Sequence, residues 1–245
     1  MSMRSTARHW LGGIRLYIAA GIILLTYQLW QWNAITYKDN SELLASHLHE
    51  SFGWVALMWL TAALAIGPAY RLFPKLPGKL VMRDARRMLG IGAAWFASLH
   101  AGVAYIVSFQ AANPLSLATY YQKGMLLGAI ALIILLSMAF TSFDGAMRTM
   151  GPWWFKLHRL IYAGAVIAIW HAMSIGVHAT GIPALVSVIG TSIVLFVLHI
   201  QVALRQEKPI TEMQVLALCL VGIAIIVLSN YGFQLHLDQY ARGAR

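Results

Sequence analysis

Charge is scarce in this chain, and acid is scarcer than base. Asp and Glu number 8 against 18 Lys and Arg, and together they make up 11% of 245 residues, where a soluble domain carries roughly 25%. With 60% of residues hydrophobic, that shortage excludes an ordinary soluble protein. The one cysteine, Cys219, stands in an apolar run without a partner, which excludes an intramolecular disulfide and a thiolate metal cluster. No Gly-x-Gly-x-x-Gly fingerprint stands in a strand-turn-helix setting, so nicotinamide-binding and flavin-binding domains are missing. No nucleophile and base fall together either; Ser142 and Ser174 alone carry no signal for hydrolysis. Internal repeats and low-complexity tracts are absent.

What is present is a series of apolar runs of the ~20 residues that cross a bilayer core. Seven spans are predicted, at about 14–32, 51–68, 88–110, 124–142, 156–177, 182–204 and 213–231. All are expected to be helices, because backbone groups in lipid must be satisfied within their own segment. The whole chain, 1–245, reads as one all-α membrane domain, with no segment left over for a soluble one.

The formal charge of +10 would suggest nucleic acid in a soluble protein. Here the basic residues lie in short loops beside the spans, where they set topology and leave no nucleic-acid surface. Arg4, Arg8, Arg15, Arg71, Lys75, Lys79, Arg83, Arg86, Arg87, Arg148, Lys156, Arg159, Arg205 and Lys208 fall on one side, against Lys38, Lys123, Arg242 and Arg245 on the other. That asymmetry predicts a cytoplasmic N-terminus, a periplasmic C-terminus and a multi-pass protein of the bacterial inner membrane. The N-terminal segment resembles a signal peptide in charge and order but lacks a small-x-small cleavage site, and is read as a retained anchor. Trp30, Trp32, Tyr120, Tyr121, Trp153 and Trp154 fall near span ends and read as interfacial anchors. Residues 33–50 are expected to form an outer loop, placed to touch a periplasmic partner. Residues 70–87 are expected to form a cytoplasmic turn that grips anionic lipid.

Ionisable residues inside a span are costly and mark function by default. His100, His158, His171 and His199 are of this kind, and neutral imidazole is a standard axial ligand of haem iron. The third and fifth spans run in the same direction. His100 lies thirteen residues beyond Arg87, and His171 thirteen beyond His158, so both should sit roughly 20 Å from the cytoplasmic edge. Two histidines on different helices at one depth are what a six-coordinate haem between them requires. Gly102 and Ala101 on one span, and Ala172 and Gly164 on the other, are expected to leave room for the macrocycle. The alternative is that each imidazole merely bonds a neighbouring carbonyl.

On a straight helix His158 points about 140° away from His171, so only a π-bulge or bend would bring both to one face. His199, at a similar inner depth, is the candidate partner of His158 for a second haem; interfacial histidines near lipid phosphate are the alternative. His178, two turns outward of His171, suits a propionate edge, an electron exit or a plain surface position. His47 and His49 have metal-like spacing without a third ligand, which argues against a metal site. Arg86, Arg87 and Arg159 form a cationic inner mouth suited to haem propionates, a flavin phosphate or a quinone headgroup, although the positive-inside bias explains them equally well. Gly124 and Gly128 are a small-xxx-small pair that signals close helix packing.

Several motifs in order resemble the ferric-reductase-like transmembrane family. They are Arg86-Arg87-Met88-Leu89-Gly90, Ala97-Ser98-Leu99-His100, Ala139-Phe140-Thr141-Ser142, the run from Gly151-Pro152-Trp153-Trp154 to His158-Arg159-Leu160-Ile161-Tyr162, and Trp170-His171. Gly53 to Pro68 also looks like that family's second span, so the likeness covers about 50–178 within a core of about 50–204. Within the family the chain is most similar to haem-binding membrane subunits of periplasmic methionine sulfoxide reductase systems. The resemblance implies a b-type cytochrome with His100 and His171 as iron ligands and His158 as a further haem-associated histidine. It implies electron delivery from a cytoplasmic flavin reductase or the quinol pool to a periplasmic reductase, including a molybdenum-containing sulfoxide reductase. The extra span at 213–231 departs from the family's usual six. Two other readings remain open: a ferric or quinone reductase component with a different acceptor, and a transporter in which histidines relay protons or bind a metal ion.

Overall fold

The computed structural model describes residues 3–72, 78–108 and 119–175. The predicted spans at 182–204 and 213–231, together with His178, His199 and Cys219, lie outside the described residues. Within them the chain is entirely helical: α1 Met3–Thr36, α2 Ser41–Leu72, α3 Lys79–Val103, α4 Thr119–Phe140, α5 Asp144–Met150 and α6 Pro152–Ile175. A single π-helical turn, Ala104–Ser108, continues α3. Among the described residues, four stretches are long and apolar enough to cross a membrane: Gly13–Thr36, Leu43–Tyr70, Leu80–Ile106 and Gln122–Phe140. Exposed side chains such as Ile23, Leu24, Ile133 and Phe140 give them the apolar exterior that a bilayer accepts. This is a multi-pass membrane protein.

Two helices begin well before their apolar runs. α2 starts at Ser41 instead of about 51, because Asn40 caps it: the Asn40 Oδ1 accepts the Leu43 N–H at 3.0 Å and the Asn40 carbonyl accepts that of Leu44 at 2.9 Å. The predicted outer loop at 33–50 is therefore helix on both sides of a turn at 37–40, and His47 and His49 are helical. α3 likewise starts at Lys79, so residues 79–87 of the predicted cytoplasmic turn are two amphipathic helical turns whose inner face buries Asp84 and Ala85. α5 was not anticipated. Gly151, at φ +52, turns the chain sharply after it in a conformation costly for other residues, and Pro152 occupies the first helical position of α6.

α2 packs along α3, α4 along α6, and α3 meets α4, while α1 lies against α3 and α2. Where the two pairs join, Leu60, Leu64, Ala93, Ala94, Leu135 and Ala165 form a closed layer. A second cluster, Ile22, Leu48, Phe52, Ala56 and Phe96, fastens α1 to α2 and α3. Lipid tails are as apolar as these side chains, so close van der Waals fit rather than water exclusion holds the layer together, and small residues permit it. Ala93 has no exposed surface. Ala93→Leu should over-pack that layer by about 1–3 kcal/mol, read as a lowered thermal midpoint in detergent; an unchanged midpoint would mean that the layer is loosely packed.

Trp154 departs from the anchor reading. Its ring stacks on His158 at 3.8 Å and its Nε1–H donates to the Thr141 carbonyl at 2.9 Å, so it faces the bundle. Trp153 beside it is 68% exposed, with the Lys156 ammonium 4.1 Å from its ring centre, as an anchor should be.

Candidate functional site

α3 and α6 bring His100 and His171 together. Their ring centres are 5.9 Å apart and the ring planes cross at 76°. Each ring is held from behind by a helix of the other kind: His100 Nδ1 lies 2.7 Å from the His49 carbonyl on α2, and His171 Nδ1 lies 2.8 Å from the Gly124 carbonyl on α4. A carbonyl only accepts, so in each ring Nδ1 carries the proton and Nε2 keeps its lone pair. That is the tautomer of a metal-bound imidazole with an outer carbonyl partner.

The spacing suits one metal ion. Two nitrogen–metal bonds of about 2 Å, with about 1 Å from each nitrogen to its ring centre, require ring centres about 6 Å apart. Nothing bulky closes in behind the rings either. An added Cβ at Gly53 would lie 2.8 Å from His100 Nδ1, and one at Gly128 would lie 2.8 Å from His171 Cε1, so each imidazole occupies the space above a glycine. The residues present therefore fit a haem iron held between α3 and α6. Of the expected small neighbours, Gly102 borders open space, whereas Gly164 packs against Ile134. The alternative of imidazoles bonding only carbonyls accounts for Nδ1 and leaves the close approach of the two rings unexplained.

His158 is separate, roughly 20 Å from His171 along α6. α6 runs from Pro152 to Ile175 without the π-bulge that would realign the two; the π-helical turn follows His100 instead. His158 Nδ1 donates to the Trp154 carbonyl at 3.1 Å, and Nε2 is buried with no hydrogen-bond partner among the described residues. That orphaned nitrogen fits a further ligand or an iron. Arg86 and Arg87 act on it electrostatically.

Arg87 is also engaged elsewhere. Its Nη1 donates to Asp144 Oδ1 at 2.7 Å, while Arg15 reaches Asp84 at 3.0 Å and Asp144 at 3.9 Å. α1, α3 and α5 are thus tied at the end of the bundle where α3 begins. The Arg87 hydrogen bond and charge, helped by Arg15 and Arg148, hold the Asp144 carboxyl below the ordinary carboxylate range. A depressed value means that the tie is complete above about pH 4 and is lost as pH falls through the lowered value. Asp144→Asn should therefore differ from the parent in thermal stability by a constant small amount from about pH 5 to 8. The difference should shrink on further acidification; one that grew instead would contradict the tie.

Residues 52–169 match the family model described as ferric reductase like transmembrane component, a stretch that contains His100 and ends two residues before His171. The relative from Cronobacter sakazakii (strain ATCC BAA-894), named protein-methionine-sulfoxide reductase heme-binding subunit MsrQ, is 33% identical over 171 residues, 68% of this chain and 80% of its own length. The chain belongs to the ferric reductase-like transmembrane family. A relative of the same name from Xanthomonas euvesicatoria pv. vesicatoria (strain 85-10) is 30% identical over 154 residues, 62% of this chain and 68% of its own length. No solved structure matches.

The sequence pointed to the two histidines of this family member but missed what holds them. Sequence alone places His49 in a loop and argues against it as a metal ligand, whereas its backbone carbonyl is the contact that matters. The Gly124–Gly128 pair signals only close packing in the sequence; in the structure Gly124 supplies the carbonyl and Gly128 the space.

Proposed function

We propose that this chain is a membrane cytochrome b that carries electrons across the bacterial inner membrane, with His100 and His171 as the axial ligands of a b-type haem. The observation that carries this reading is the pair of facing imidazoles at 5.9 Å, each fixed in the ligand tautomer by a carbonyl behind it. Haem, once bound, supplies a one-electron couple whose potential ligands and burial set. The chain's own contribution is to place and orient. His49 and Gly124 aim the Nε2 atoms, while the layer of Leu60, Leu64, Ala93, Ala94, Leu135 and Ala165 separates the pair from His158.

The name shared by the relatives supports a protein-methionine-sulfoxide reductase as the acceptor, which we place on the periplasmic side. We take the donor to be a cytoplasmic flavin reductase or quinol, met at the end where Arg86, Arg87 and His158 gather; a flavin phosphate or quinone headgroup would suit those cations. A second haem at His158, His178 as an electron exit, and a single domain of seven spans with the N-terminus inside belong to the same proposal. Purified protein should show a Soret band and, on reduction, an α band, with at least one haem per chain by pyridine haemochrome. A colourless, fully folded preparation from haem-sufficient cells would defeat it.

A further inference from the structure

Two places in the bundle repeat one local arrangement. On α2 the carbonyl of His49 accepts His100 Nδ1–H at 2.7 Å, and the residue four positions later is Gly53, where a Cβ would strike the same ring at 2.8 Å. On α4 the carbonyl of Gly124 accepts His171 Nδ1–H at 2.8 Å, and the residue four positions later is Gly128, where a Cβ would strike that ring at 2.8 Å. In a helix the N–H of residue i+4 bonds the carbonyl of residue i. The Cβ of residue i+4 therefore overhangs that carbonyl, and only glycine lets a flat ring from the next helix reach it. Other glycines lack this relation: an added Cβ at Gly67 on α2 would meet only the Arg86 guanidinium, at 3.5 Å, and Gly21 on α1 and Gly90 on α3 have nothing within 4 Å.

We infer that Gly53 and Gly128 are positioning residues: paired seats, each of a glycine and the carbonyl four residues before it, that lock the His100 and His171 rings at crossed planes. The inference rests on the haem reading above and adds what sets the ligand geometry. Neither ring can yield cheaply to an added methyl group, because one nitrogen is held by a carbonyl and the other by the iron. A Cβ at either glycine must turn the ring, stretch the Nδ1–H···O bond, or both. Losing that bond makes the imidazole a weaker base, which favours ferrous over ferric iron and moves the potential upward.

The test is electron paramagnetic resonance of the oxidised, purified holoprotein together with redox titration. Wild type should give the highly anisotropic low-spin signal of crossed imidazole planes, in keeping with the 76° angle. Gly53→Ala and Gly128→Ala should each shift the largest g value and raise the midpoint potential, while Gly90→Ala and Gly21→Ala leave both unchanged. Haem-loaded seat variants with wild-type spectra and potential would overturn the seats and leave the haem reading intact. If an alanine variant fails to accumulate, the wild-type spectrum still decides, since the rhombic signal of parallel planes contradicts a crossed lock. A wild type without low-spin haem would overturn the haem reading and the seats together.

Discussion

His171→Ala should abolish six-coordinate, low-spin haem in the purified protein, and His100→Ala should do the same. Removing an outer hydrogen-bond partner of a metal ligand typically costs 10–100-fold in affinity, and removing the ligand itself should cost at least that. Each substitution also deletes the imidazole that fills the seat above Gly128 or Gly53; the His49 ring lies 5.6 Å from that of His100, with its Nδ1 bonded to the Ala45 carbonyl at 3.0 Å. Haem per chain, measured by pyridine haemochrome, should fall about tenfold or more, and any residual pigment should be high-spin. His158→Ala should leave the low-spin signal of the His100–His171 site in place, because His158 lies roughly 20 Å away along α6. If His158→Ala were the variant that removed the signal, the iron would belong to the other end of the bundle.

The second large effect concerns the buried carboxylate at the tied end. Asp84 is 5% exposed and receives Arg15 through Nε at 3.1 Å and Nη2 at 3.0 Å, both on Oδ2. The two halves of the pair should not be equivalent. Arg15→Ala strands a buried carboxylate, and breaking a buried pair in that sense costs about 3–5 kcal/mol. Asp84→Ala leaves an arginine whose side chain is 40% exposed and can turn to water, with Asp144 3.9 Å away as a second partner. Its cost should be smaller, about 1 kcal/mol or less. Thermal unfolding in detergent should therefore rank Arg15→Ala below Asp84→Ala, and Asp84→Asn nearest the parent. Equal midpoints for the first two would show that water already reaches Asp84.

The centres of the described helices and the shared level of the two histidines were legible because both follow from fixed quantities. Apolar runs of bilayer length become helices, and a constant rise per residue turns counting into depth. Hence His100 and His171 could be matched across seventy intervening residues. Helix ends were less legible, since hydropathy locates lipid while hydrogen bonding locates the helix. The Asn40 cap carries α2 ten residues beyond its apolar run, and the amphipathic turns from Lys79 to Arg87 do the same for α3. The seats were not legible at all. Gly53, Gly124 and Gly128 look like ordinary small residues of a membrane helix, and only the packing of α2 on α3 and α4 on α6 shows which glycines face an imidazole.

In each helix pair the seat precedes the ring it receives: His49 and Gly53 come before His100, and Gly124 and Gly128 before His171. A chain made from its N-terminus therefore delivers each imidazole to a groove that is already in the bilayer. Assembly can proceed hairpin by hairpin, and the prosthetic group need arrive only once the second hairpin is in place.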